Sequence, residues 1–557
     1  MNLDNLRIIS WAGLLILIWL SIQSWQQMFQ PQAPAALPAT TALSADPGAV
    51  PTAAASNGVP ALPGAAAPVA QPATPAAQSA AAPARLISVH TGVLDVEIDL
   101  NGGDLSAARL PTYPVHKDQP DVPLQLLNSQ PDAFFVIQSG LRAADQQPEP
   151  NHLTEYTAAG TEFVLADGAD ELVVPLQWQS PIPGLSIEKV FRFHRNSFRI
   201  DLEYTVHNQG SVPYRAAKYV QLQRHYVPPE RSMFDVESYS YYGPVIYDGS
   251  KYEKLDVEDL AGKPATQSVE NGWLAAIQHH FLAAAVPLAA EPWTYEARFA
   301  EGRFLISAIG PLQTVAPGAS ASFKTQLFVG PKMQEQLAAI APGLDLTVDY
   351  GAFALLAQPL FWIIQKIHGF VGNWGLAIII CTLLIKLVFY KLSETSGRSM
   401  ARMRQMQPRM KALQERYKDD KQALSTAMMD LYKKEKINPA AGCLPMLVQI
   451  PFFMAFYWVL LESVEMRQAP FMLWITDLSS RDPYFVLPLL MGVAMWFQQK
   501  LNPPPPDPVQ AKMMQAMPIL MTGMFAFFPA GLVLYWLTNS VLSIAQQWRI
   551  NKVLGAN

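Results

Sequence analysis

The sequence is short of the groups most enzymes rely on. Its two cysteines, Cys381 and Cys443, lie in or beside apolar stretches of the C-terminal half, so no disulfide framework exists and cysteine does not reveal the compartment. The nine histidines are scattered. None falls into zinc-type spacing, and neither a nucleophile elbow nor a phosphate loop is present. Charged residues make up 15% of the chain, against roughly 25% in soluble domains. What replaces them is apolar: half the residues are hydrophobic, concentrated at the N-terminus and after about residue 350. That is the profile of an integral membrane protein with a large soluble insert, and the 557 residues leave room for several domains.

The first apolar run, 8-IISWAGLLILIWLSIQSW-25, fits either a cleavable secretory signal or an uncleaved anchor with a cytoplasmic N-terminus. Its length, its weakly basic start and Trp25 at its end favour an anchor over residues 1–30. Small residues such as Ala33, Ala35 and Ala36 keep the cleavage reading open. Residues 31–85 are Ala- and Pro-rich without apolar period, the composition of an extended tether.

Over 86–345 the period becomes two. In 93-VLDVEIDL-100, Leu94, Val96, Ile98 and Leu100 alternate with acids and stop at the turn signal 101-NGGD-104. The stretch 190-VFRFHRNSFRIDLEYTVHNQG-210 reads as a hairpin, and 323-FKTQLFV-329 repeats the alternation. Many strands and few helices predict a large two-layered antiparallel β-sandwich.

After 346 the pattern is helical. Residues 346–370 predict an interfacial amphipathic helix, with Leu356, Leu360, Ile363, Ile364 and Ile367 on one face. A second span is expected at 371–392, and third to sixth spans with short loops and a tail within 438–557. With the anchor this makes about six spans, five of them in the core. The last two are joined only by 528-FPAG-531, which predicts an antiparallel pair.

Charge sets the orientation. Residues 393–437 carry Arg398, Arg402, Arg404, Arg409, Lys411, Arg416, Lys418, Lys421, Lys433, Lys434 and Lys436, with about half as many acids. The positive-inside rule places this loop in the cytoplasm, the sandwich outside and both termini inside. Within the loop Met403, Met406, Met410, Leu413 and Tyr417, then Leu424, Met428 and Leu431, step by three and four. They predict two amphipathic helices in a coiled hairpin. Its basic face suits anionic lipid, or a docking partner such as ribosomal RNA.

Inside the second span, 376-LAIIICTLLIKLVFYKL-392, sits Lys386, one turn after Thr382. A charge there costs about 2.5–3.5 kcal/mol even on the gentle insertion scale. Either its stem snorkels towards the headgroups near Lys391, or it faces a polar cavity. Gln449 lies between Pro445 and Pro451, and Tyr535, Asn539, Ser543 and Gln547 recur every four residues in the last span. Each is explained singly by an interhelical hydrogen bond; four in a stripe favour a wall.

The runs 371-VGNWGLAIII-380, 438-NPAAGCLPMLVQIPFF-453, 467-RQAPFMLWITDLS-479 and 529-PAGLVLYW-536 resemble the YidC family of bacterial inner-membrane insertases, as do 92-GVLDVEIDLNGGD-104 and 139-SGL-141 in the β region. The resemblance covers nearly the whole chain. It implies a Gram-negative inner-membrane protein whose periplasmic sandwich is similar to sugar-mutarotase folds, and a hydrophilic groove among five core helices. It also implies that nascent membrane proteins are inserted alone or beside the Sec translocon and signal-recognition pathway, with no cofactor, enzymatic step or DNA partner. On this reading the groove is Lys386, Thr382, Gln449, Tyr535, Trp536, Asn539 and Ser543. The substrate's apolar segment slides along the third and fifth spans, where Met513, Met514, Met517, Met521 and Met524 supply pliant contacts, although core packing explains them equally. The docking hairpin is Arg402, Arg404, Arg409, Lys411, Arg416 and Lys418. Two departures from the family pattern stand out: Lys386 replaces its characteristic Arg, and Lys391 its Pro. The charge can act in Lys386, but a planar bidentate fork is lost.

Two rivals remain at this level. A secondary transporter would show an internal repeat and midplane carboxylates; no repeat is visible, and Glu462 and Glu465 lie towards the outer end. A membrane-anchored carbohydrate-binding protein or enzyme would use the sandwich, where His279 and His280 precede an apolar strand.

Overall fold

A computed structural model describes residues 58–62, 86–228, 240–288, 291–417, 420–435, 444–501 and 508–553. The expected N-terminal anchor, the tether apart from 58–62, Lys418 and Cys443 lie outside these residues.

Alternation does become strand. Asp95–Asp99 buries Val96 and Ile98 and leaves its acids half-exposed. The expected hairpin is Leu185–His194 against Arg199–Asn208, with Phe193 opposite Ile200 and Phe191 opposite Leu202. The second of these strands pairs in turn with Ala319–Pro331. The strands form an 11-stranded and a 9-stranded sheet, whose apolar faces meet in one core containing Ile98, Phe191, Ile200, Val220 and Phe304. Two short helices, α1 (Val257–Gly262) and α2 (Gln334–Ile340), decorate them.

The two β motifs noted in the sequence have steric causes. Gly102 holds φ +95°, and a Cβ there would lie 2.5 Å from the His152 carbonyl oxygen. A Cβ on Gly140 would lie 2.7 Å from the Asn151 Cα. Only glycine admits such approach and such φ. Between the motifs lies buried Lys189, whose Nζ donates to the carbonyls of Gly102 (3.2 Å) and Ser139 (3.4 Å) beneath the rings of Tyr156, Phe191 and Tyr204. Burial lowers the pKa of Lys189 and raises that of Asp104, and each charge partly offsets the shift of the other.

The helical part comprises α3 (Ala354–Val371), α4 (Trp374–Val388), α5 (Tyr390–Gln405), α6 (Gln407–Arg416), α7 (Lys421–Lys434), α8 (Leu444–Glu462), α9 (Val486–Leu501), α10 (Pro508–Phe525) and α11 (Ala530–Val553). Among these, no single helix is long and apolar enough to cross a membrane; α4 and α5 together are, but bent by 69°. The expected span 371–392 is thus broken at Phe389, where α4 ends. Its 15 residues rise about 22 Å, short of a hydrocarbon core about 30 Å thick. Apolar side chains nonetheless face outward along the bundle, including Leu383, Leu387, Leu489, Val493, Phe497, Ile519 and Leu520. A water-soluble surface rarely carries so much.

α3 packs on α4 and α8 through Ala357, Leu360, Phe361 and Ile364. The expected antiparallel pairing of the last two spans is not what forms. α10 packs along α9, and α9 along α11. Near the Pro529 junction α10 meets α11 through Phe525 and Trp536. Gly492 explains the preference, since a Cβ there would lie 2.1 Å from Thr522 Oγ1, so α9 and α10 approach closely.

The sandwich grips one end of α8. The Nε2 atoms of His279 and His280 both lie 2.9 Å from the Leu461 carbonyl, with their rings stacked at 3.7 Å. Ser463 bonds Tyr350 at 3.1 Å, and Arg467 donates to the carbonyls of Pro114 and Val115. Buried Lys332 lies in the field of Glu462.

Candidate functional site

Apolar residues fill α4 almost throughout, so its orientation is set by what its few polar groups reach. The Asn373 side chain caps its start by accepting from the Leu376 N–H at 3.0 Å. Near its end Lys386 Nζ donates to Ser543 Oγ on α11 at 2.8 Å. The ammonium therefore turns inward across the bundle and does not snorkel towards exposed Lys391. Ser543 Oγ in turn donates to the Asn539 carbonyl at 2.7 Å, and Thr382 Oγ1 to the Ile378 carbonyl at 2.7 Å.

These residues border a narrow cleft of about 30 Å³ between α4, α5, α8 and α11. Thr382, Lys386, Gln449, Tyr535 and Asn539 line it, and Ser543 joins it through the lysine. Gln449 Nε2 is buried and has no acceptor among the described residues. Tyr535 stacks on Phe456 at 4.5 Å and 20°. The cleft combines one cation, hydroxyls and an amide with apolar walls.

Two expected members lie elsewhere. Trp536 packs against Phe453 (5.0 Å) and Phe525 (5.4 Å), away from the cleft. Gln547, last of the polar stripe, reaches across α5 to the Gly397 carbonyl and bonds Asn551. Four-residue steps drift around a helix of 3.6 residues per turn, so a stripe this long leaves the face on which it began.

Other lining residues were not anticipated: Ile385, Phe389, Leu392, Ser393, Val448 and Phe452. Phe452 stands one turn beyond Gln449 and Val448, a spacing that would have found it. Phe389 meets Phe452 edge-on at 5.2 Å, across the cleft. Leu392 and Ser393 reach it only because the chain bends at Phe389, and an apolar run read as one straight helix conceals that.

On α10, Met513, Met517 and Met524 are exposed, whereas Met514 and Met521 are half-buried. The hairpin of α6 and α7 closes over Met406, Met410 and Met428, with Met403, Leu413, Leu424 and Leu431 around them. Arg402, Arg409, Lys411 and Arg416 are exposed and Arg404 half-buried. Arg409 pairs with Glu435 at 2.7 Å.

Residues 366–556 match the family model described as 60Kd inner membrane protein, and residues 86–363 match that of the YidC periplasmic domain. The membrane protein insertase YidC of Thioalkalivibrio sulfidiphilus is 49% identical over 99% of this chain and 98% of its own length. That of Nitrosococcus oceani is 44% identical over 99% of each. A solved YidC insertase with its first transmembrane domain resolved covers 83% of this chain and 93% of its own, at 19% identity and a TM-score of 0.39. Full-length identity of this order, with both family models in register, leads to one conclusion: the chain belongs to the YidC family.

Proposed function

We propose that the chain is a membrane protein insertase that carries nascent membrane proteins into the bacterial inner membrane through the Lys386 cleft. The observation that carries this reading is a cation turned inward from an apolar helix onto Ser543, in a cleft shared with the Gln449 amide. Such a charge is expensive in lipid, and a water-lined cleft offsets the cost while shortening the hydrocarbon a polar tail must cross. Lys386 attracts acidic residues of that tail. The substrate's apolar segment leaves along α8 and the exposed methionines of α10, whose thioethers adapt to varied shapes.

The same proposal includes six spans, with the sandwich periplasmic and both termini cytoplasmic. Basic α5 to α7 support that orientation, since they meet the cytoplasm in this arrangement. Their exposed arginines and lysines suit anionic headgroups and ribosomal RNA, and work beside the Sec translocon and signal-recognition pathway belongs to the same reading. Short helices and outward apolar side chains are consistent with lipid around the bundle.

Insertion of a short test substrate by Lys386→Ala and Lys386→Arg, in cells depleted of their own insertase, tests the charge. The Ala variant is expected to lose about tenfold or more, the effect of at least 1.4 kcal/mol, and the Arg variant to rescue. Full rescue by Ala removes the charge from the mechanism.

A further inference from the structure

A strand sends alternate side chains to opposite faces. From Tyr214–His225 in the 11-stranded sheet, Ala216, Val220 and Leu222 enter the core between the sheets, whereas Ala217 and Tyr219 point away from it. Such outward residues are ordinarily wet, yet Tyr219 is 2% exposed and Ala217 fully covered. Over them, with Ile309, lie Leu312 and two residues of the tether, Val59 and Leu62.

The seat is built for this. His152 fixes the Tyr219 hydroxyl with Nδ1 at 2.7 Å and its backbone N–H at 3.0 Å. Arg142, paired with Glu149 at 3.2 Å, donates to the Pro60 carbonyl at 2.8 Å. Pro60 is buried and Ala61 exposed. Gly58, at φ +74°, faces His152 Nε2. Residues three apart share a side of an extended chain with three residues per turn, and proline pre-sets that shape at low entropic cost. Val59 and Leu62 are so spaced.

We propose that this outer face is a docking groove for a short, extended, proline-bearing apolar segment, and that its resident is the chain's own 58–62, acting as a latch. Covalent attachment gives the segment a high effective concentration, so modest contacts suffice to seat it. Latching shortens the leash between the apolar run 8–25 and the sandwich from residues 31–85 to 31–57.

The test uses the full chain in lipid nanodiscs. A photo-crosslinking residue at position 62 is expected to link within 303–315 of the same molecule. A broad-specificity protease is expected to spare 58–62 in the wild type and cut it at least tenfold faster in a Val59→Asp, Leu62→Asp double variant. Those changes lie in the tether, so unaltered thermal melting of the sandwich confirms that it still folds. Links to other segments or other proteins, or equal cleavage of both forms, overturn the latch.

Discussion

Lys386 and the histidine pair illustrate two ways a polar residue shielded from solvent keeps its place. On the proposed function Lys386 serves insertion at the expense of stability, so Lys386→Ala is expected to raise the thermal midpoint while lowering insertion. His279 and His280 instead hold Leu461 as neutral rings. Burial, and the nearby Lys332 and Arg467 charges, push the pKa of His279 down to about 3 and that of His280 well below its ordinary value. The unfolded chain binds protons below about pH 6.5 and the folded chain does not, so the pair stabilises fully above that pH. This contribution falls as pH drops towards 3, by up to about 1.4 kcal/mol per unit for each ring. Thermal melts at pH 7.5 and pH 5 are expected to show a larger acid loss for the wild type than for His279→Gln, His280→Gln. The sequence showed this pair only as two histidines before a strand; their partner is 182 and 181 residues away on α8.

Among the elements, the α6 and α7 hairpin rests on a small methionine core separate from the rest. Met410→Ala with Met428→Ala is expected to cost about 2–5 kcal/mol for each substitution, enough to melt a minor core. Hydrogen exchange should then rise across 407–434 and leave α4 and α11 unchanged. This hairpin was readable because its period and charge lie within a short stretch of chain. The β hairpin at 185–208 was readable for the same reason. The break at Phe389 was not, because apolar residues continue straight through it and the bend comes from packing against α8 and α11. Nor was the α9 and α10 pairing, since it depends on Gly492 meeting Thr522 across the bundle. Of the cleft, Thr382, Lys386, Gln449, Tyr535 and Asn539 were visible as polar anomalies in apolar helices, whereas Ser393 lies beyond the bend and was not. The aromatic members were hidden because phenylalanine in such a helix is no anomaly.

At the scale of the whole molecule, sandwich and bundle share buried polar ground, and a truncation has to respect it. Removing most of 86–330 takes away the histidines but leaves Lys332 and Tyr350 for Glu462 and Ser463. Insertion is expected to persist, with a lowered thermal midpoint. Extending the deletion through Tyr350 also removes Lys332 and Tyr350, the remaining partners of Glu462 and Ser463, and insertion and protein level are expected to fall together. Complementation paired with immunoblotting separates the two cuts. The arrangement of α10 has its own consequence. With α10 laid along α9, any side chain at position 492 is expected to wedge those two helices apart while the cleft walls α4, α5, α8 and α11 stay in place.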